Sequence, residues 1–206
     1  MPPTPFIPLT PDLVKQAALS GADAFAGDVT TLYLIPDPKK RPNLRYAFEY
    51  YLRLSLLENE EAYVTSPKCE GLAIWRRSDA PSSFTNSLRA GWPWLPLRCG
   101  WAYLSRDANT ERHYEKLRRD IAPRPHMYLA LLSVAPDFQR QGFASRLVRP
   151  MLARLDAERL PAYLETQNLR NVAMYERFGF RLEREDILPG TNLRMYLLVH
   201  HPPALP

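Results

Sequence analysis

Apolar positions along this chain change period several times, and each change marks an element. Leu44, Ala47, Phe48, Tyr51 and Leu52, with Ser55, recur at intervals of three and four and predict a helix over 43–58 with these residues on its inner side. An earlier helix is predicted from Pro11-Asp12 through about Phe25, after a first strand over Phe6 to Leu9. Glu61 to Thr65 and Glu70 to Trp75 read as two strands of a hairpin closed by Ser66-Pro67-Lys68. Phe84 to Ala90 and Asn109 to Asp120 predict helices around an aromatic segment broken by prolines. His126 to Val134 is nearly all apolar, the mark of a buried strand. Leu147, Val148, Met151, Leu152 and Leu155 then return to helical spacing over Ser145 to Leu160. Pro150 falls inside that helix; because the apolar spacing continues past it, a kink is expected rather than an end. Ala162 to Thr166 predicts a further strand. Asn168 to Phe180 predicts a short helix, with Asn168 as N-cap and Gly179 where a left-handed C-cap residue belongs. Arg181 to Ile187 and Leu193 to His200 close the chain as two strands split by Pro189-Gly190.

The junction between the apolar run and the helix after it, Gln139-Arg140-Gln141-Gly142-Phe143-Ala144, carries the first chemistry. A strand, a glycine turn and a helix start leave the backbone N–H groups of residues 140 to 145 without partners, and the helix dipole adds positive character there. Such a place suits a phosphate; plain turn chemistry is the competing reading. The spacing matches neither Gly-x-x-x-x-Gly-Lys-Ser/Thr nor Gly-x-Gly-x-x-Gly, which excludes a triphosphate P-loop and a dinucleotide fingerprint. The strand at 127–134, the helix and the strand at 162–166 form a right-handed crossover, so the two strands should lie side by side and parallel.

From these residues the chain resembles the GNAT superfamily of acyl-CoA-dependent N-acetyltransferases. Gln139, Gly142 and Ala144 match its Gln/Arg-x-x-Gly-x-Gly/Ala motif, and Asn171, Tyr175, Glu176, Gly179 and Phe180 match its Asn…Tyr-Glu-x-x-Gly-Phe motif. The resemblance covers about residues 124–199, and the wording around Leu164-Glu165-Thr166 is most similar to puromycin N-acetyltransferase-type members. It implies a mixed α/β fold whose central sheet is mostly antiparallel, with one parallel strand pair splayed around the cofactor. It implies one domain over 1–206, with an acceptor-side half to about 123 and an acetyl-CoA-binding half over 124–199. Acetyl-CoA would be the acyl donor, its pantetheine along Leu132, Ser133 and Val134 and held by Asn171. Its phosphates would lie on Gln139, Arg140, Gln141, Gly142, Phe143, Ala144 and Ser145. The acceptor would be a primary amine of a small molecule, attacking directly in a ternary complex. A protein or peptide amine is one alternative, and a domain that binds acyl-CoA without turnover is another.

Acetyl transfer from a thioester to an amine needs a neutral amine, a donor for the negative charge on the acyl oxygen and a proton for the leaving thiolate. Tyr175 stands one helical turn after Asn171 and takes the last role by resemblance, against the reading of a core tyrosine. Glu165 has two readings, a base acting through water or a carboxylate that caps the following helix. Glu70 is a weaker candidate base, and His126 reads as a satisfied structural histidine. Trp75, Trp92, Trp94, Trp101 and Tyr103 read as core, with the alternative that some of them wall the amine pocket.

Composition narrows the partners. At 206 residues and net charge +5, the chain can bury roughly 70% of its unfolded surface. Its basic groups Lys39-Lys40-Arg41, Arg76-Arg77 and Arg118-Arg119 are scattered, which suits an anionic cofactor and does not argue for nucleic acid. No apolar stretch approaches the roughly 20 residues of a membrane span, and no membrane partner is expected. Met1-Pro2-Pro3-Thr4-Pro5 has neither a basic nor an apolar signal region, and Cys69 and Cys99 fit a reducing compartment as buried thiols. The expectation is a cytoplasmic monomer or homodimer with no metal site.

Overall fold

The computed structural model describes residues 6–203, so the ends at 1–5 and 204–206 lie outside the described residues. Seven strands form one sheet: β1 (Ile7–Pro8), β2 (Glu61–Val64), β3 (Gly71–Arg77), β4 (Met127–Val134), β5 (Ala162–Thr166), β6 (Arg181–Ile187) and β7 (Arg194–His200). Their order is β1-β2-β3-β4-β5-β7-β6, and every neighbouring pair is antiparallel except β4 and β5. The mixed sheet with one parallel pair is the expected architecture. A parallel pair needs a crossover, and α7 (Phe143–Ala157) supplies it. Its apolar stripe buries Leu147, Val148, Met151, Leu152 and Leu155, and Pro150 sits in its interior.

Helices cover both faces. On one, α1 (Val14–Phe25) and α3 (Leu44–Leu57) pack over Val64, Leu72 and Ile74. On the same face α6 (Trp101–Ile121) covers Tyr163, Met195, Leu197 and Val199 with Tyr114 and Leu117. On the other, α7 and α8 (Leu169–Glu176) close over Ala73, Trp75, Met127, Leu129, Leu164 and Leu198. Both cysteines are buried and unpaired with each other, and burial pushes each thiol up to about 11.

Three departures from the sequence expectations have physical causes. Between α1 and α3 lie α2 (Val29–Leu34) and a 3-10 turn over Pro38–Asn43, each started by an aspartate, Asp28 or Asp37, that accepts a backbone N–H two residues on. On α3 it is Tyr50 that is buried, while Tyr51 is 37% exposed, its hydroxyl donating to Asp107 at 2.8 Å. The aromatic set divides: Trp75 and Tyr103 are core, but Trp92, Trp94 and Trp101 are exposed. These last three belong to an excursion between β3 and β4, built from α4 (Phe84–Ala90), a 3-10 turn (Trp92–Trp94), α5 (Leu95–Cys99) and α6. Pro93, Pro96 and the positive φ of Gly91 and Gly100 keep its first part in short pieces that cannot turn every aromatic inward.

Candidate active site at the parting of two parallel strands

β4 and β5 pair only at Met127 with Ala162 and Tyr128 with Tyr163. Beyond Tyr128, β4 continues to Val134 bonded to β3 alone, and β5 continues through Thr166 bonded to β7 alone. The parting begins at an irregularity in β4. Ile74 pairs with Leu131 and Trp75 with Leu129, so Ala130 is an extra residue on β4. Such a bulge bends its strand and increases local twist. Leu132, Ser133 and Val134 therefore lie on a strand edge that faces a gap rather than a neighbour, and an extended amide chain could hydrogen-bond there.

The gap leads into the turn before α7. Arg140 (φ +60°) and Gly142 (φ +84°) both adopt left-handed backbone. Gln139 donates its amide to the Val134 carbonyl at 3.2 Å, and Gln141 donates its own to the Asp137 carbonyl at 2.8 Å. These two side chains brace the loop against the end of β4 and are committed to backbone. Arg146 N–H is the first to bond inside the helix, to the Gly142 carbonyl at 3.1 Å. No side chain caps this end. The amides of Phe143, Ala144 and Ser145 are thus open donors at the positive end of a dipole. A Cβ built on Gly142 would meet nothing within 4 Å, so the glycine serves its φ and leaves the cradle open. The backbone arrangement fits a phosphate group; the glutamine side chains act as braces.

α8 stands across the gap. Asn168 caps it, accepting from Arg170 N–H at 3.0 Å, and Gly179 takes φ +95° beyond its end. Asn171 donates to the Thr166 hydroxyl at 3.2 Å, which ties the helix to the end of β5. Tyr175 is 7% exposed and packs edge-on against Phe180, with ring centroids 5.8 Å apart. Burial alone acts on its phenol and raises its pKa, which keeps the proton on it at neutral pH.

Glu165 lies on the other face of the sheet. Side chains alternate along β5, so Leu164 joins Tyr175 under α8 while Tyr163 and Glu165 face α6. Arg118 of α6 donates to Glu165 at 2.9 Å, and its guanidinium sits 3.9 Å from the centre of the Tyr128 ring. Burial raises the Glu165 carboxyl despite the opposing pull of Arg118. The helix-capping alternative for Glu165 is corrected, since Asn168 does that work. Arg118, Tyr128 and Tyr163 complete this buried cluster and are not singled out by the sequence motifs. A signal for Arg118 exists, because it follows the buried α6 positions Tyr114 and Leu117 by four and one.

Glu70 lies at the β2–β3 turn, where burial opposes its ionisation but the Ser66 and Thr65 hydroxyls hold its carboxyl low. That is a turn brace, poor as a base. His126 is buried with Nδ1 against the Pro123 carbonyl at 2.7 Å, while its Nε2 finds no partner among the described residues, so it is only half satisfied. Above the end of β5, Thr30 of α2 donates to Gln167 at 2.8 Å, and Gln167 donates to the Tyr114 hydroxyl. This bridge borders a cleft of about 350 Å³ lined by Val29, Gln167 to Arg170, Asn192 to Arg194, and Tyr196. No group of metal-ligating side chains occurs among the described residues, and no helix among them is long and apolar enough to cross a membrane.

Residues 99–180 match the model of the acetyltransferase (GNAT) family. An uncharacterized N-acetyltransferase of Schizosaccharomyces pombe is 34% identical over 70 residues, which are 34% of this chain and 28% of that relative's length. Among solved structures, a histone acetyltransferase HPA2 and related acetyltransferase from Corynebacterium glutamicum superposes with a TM-score of 0.70 at 23% identity, covering 98% of this chain and 97% of the other. A NatC complex bound to Gag peptide and CoA gives 0.53 at 15% identity, over 95% and 96%. A mosquito arylalkylamine N-acetyltransferase-like 5b gives 0.58 at 9% identity, over 95% and 98%. At these identities the structures speak to fold.

Proposed function

Because this chain carries a GNAT-family acetyltransferase domain, matched over residues 99–180, we propose that it transfers an acetyl group from acetyl-CoA to a primary amine of a small molecule. The observation that carries this reading is the parting of β4 from β5 directly below an open, left-handed cradle at the start of α7. In this reading the donor's phosphates rest on the amides of residues 140–145, and its amide arm follows Leu132 to Val134. Residues 124–199 then hold the donor, and the half up to 123 shapes the acceptor side.

Acetyl-CoA, when bound, supplies a thioester. The chain's own groups supply the rest. A β4 backbone N–H at the gap is a fixed donor for charge developing on the acyl oxygen. Tyr175 gives its proton to the departing sulfur. Glu165, raised by burial, takes a proton from the amine directly or through one water. Tyr175 and Glu165 lie on opposite faces of the sheet, and the gap is where both sides communicate. That division suits a reaction that deprotonates an acceptor on one side and protonates a leaving group on the other.

A small acceptor is favoured by the bridge from Thr30 through Gln167 to Tyr114, which closes part of the approach above β5 where a peptide would need an open groove. The NatC structure, with its peptide, keeps a peptide amine as the second reading. The deciding experiment measures thiol release from acetyl-CoA against a panel of primary amines and a matched panel of peptides. Turnover with amines at least about tenfold above peptides in kcat/KM supports the proposal. The reverse order replaces the acceptor class, and thiol release with neither panel would favour a non-catalytic acyl-CoA-binding domain.

A further inference from the structure

The excursion between β3 and β4 ends in a surface the acetyl-transfer reading leaves unexplained. Phe84, Trp94, Leu97 and Trp101 are 71%, 62%, 76% and 74% exposed, and Leu88 and Trp92 are 40% exposed each. Large apolar side chains are ordinary on a surface when scattered; here six fall within one short run, and Phe84 and Trp92 already touch edge-on at 6.4 Å.

Positive charge predominates around them, although Asp37 starts the Lys39–Lys40 turn and Glu58 accepts the Ser83 N–H beside Phe84. Between Asp79 and Asp107 the chain has no acidic residue and carries Arg89, Arg98 and Arg106. The 3-10 turn bearing Lys39 and Lys40 is fastened beside α5, because Asn43 donates to the Arg98 carbonyl at 2.6 Å and the Cys99 thiol donates to the Asn43 carbonyl. Arg98 and Arg45 both lie over the Tyr46 ring, at 4.0 and 4.7 Å. Glu49, an acid of the neighbouring α3, is paired with Arg53.

We propose that this face binds an anionic lipid surface, with Trp94, Leu97 and Trp101 at the boundary between headgroups and acyl chains and the Lys39–Lys40 turn on the headgroups. Tryptophan suits that boundary because one end of the ring is apolar and the other carries an N–H. Lysine and arginine beside it gain from the negative potential of such a surface. A second copy fits less well: a two-fold contact would set the same basic rim against itself. The inference departs from the expectation of no membrane partner, which rested on the lack of a spanning segment and does not bear on peripheral binding.

The test is co-sedimentation of the full chain with vesicles of phosphatidylcholine and phosphatidylserine, against vesicles of phosphatidylcholine alone, with tryptophan fluorescence recorded alongside. Binding to the anionic vesicles should be at least about tenfold stronger, should weaken with added salt and should shift the emission to the blue. The triple variant Trp94→Ser, Leu97→Ser, Trp101→Ser removes exposed side chains and should fold; it should lose binding and the blue shift. Lys39→Glu with Lys40→Glu should lose binding to anionic vesicles by about the same factor. Absence of binding to anionic vesicles overturns the proposal, as does binding that survives the triple substitution. Sedimentation velocity provides the other arm: dimerisation abolished by the triple variant, without vesicle binding, would make the face an interface between copies and also overturn it.

Discussion

Arg118 of α6 and Glu165 of β5 meet at 2.9 Å beneath the Tyr128 ring, at the mouth of the gap between β4 and β5. The contact holds the Glu165 carboxylate beside the gap and joins α6 of the helical excursion to β5. The Glu165 side chain is 3% exposed and that of Arg118 14%, so the worth of the pair lies in not being broken.

Replacing Arg118 by Met should therefore be costly. It strands a buried carboxylate, and chemical denaturation at neutral pH should show a loss of about 3–5 kcal/mol. The sign of the pH dependence follows from the raised Glu165 carboxyl. A carboxyl raised in the folded state favours folding at low pH and disfavours it as pH rises through that value. Without Arg118 it rises further, so the loss should shrink in acid. A deficit that stays constant with pH would mean that Arg118 contributes only packing.

A second expectation concerns Tyr175→Phe. The ring packs on Phe180 and loses one hydroxyl, so folding and acetyl-CoA affinity should be nearly unchanged. Turnover should fall by about 10²–10⁴, chiefly in kcat. A core tyrosine alone predicts lower stability with a normal kcat. Steady-state kinetics beside a thermal melt separates the two.

Asp107 makes a stability prediction away from the proposed chemistry. Burial raises its carboxyl to about 6, against the opposing hydrogen bond from Tyr51. The favourable contribution of the protonated form is complete below the unfolded value near 3.8 and is lost as pH rises through about 6. Asp107→Asn should accordingly match the native chain near pH 4 and exceed it by roughly 1–3 kcal/mol at pH 7.5. Denaturation midpoints at the two pH values check this; equal differences at both would contradict it.

Much of the fold over residues 124–199 could be read in advance because its signals are local. Gly142 between a strand and a helix, the five apolar positions of α7, and Asn168 and Gly179 at the ends of α8 each act within a turn or two, and the structure places all of them as expected. The surroundings of Glu165 and Gln167 depend on distant meetings. Arg118 stands 47 residues from Glu165, and Thr30 stands 137 from Gln167. No spacing rule links such pairs. The exchange of Tyr50 and Tyr51 has the same origin: helical periodicity admits either, and the hydrogen bond to Asp107 across to α6 decides. α6 starts at Trp101 rather than Asn109; Gly100 and the prolines before it carry the sequence pattern of a loop.

Seating of the donor in the gap and on the α7 cradle can be read by hydrogen exchange of the full chain, with and without saturating acetyl-CoA. Protection should appear at Leu132 to Val134 and at residues 140–145, and Gly142→Glu, which sets a negative charge in the cradle, should abolish it while the rest of the exchange map is kept. Acetyl-CoA binding that leaves both segments unprotected, or binding unaffected by Gly142→Glu, would overturn this placement.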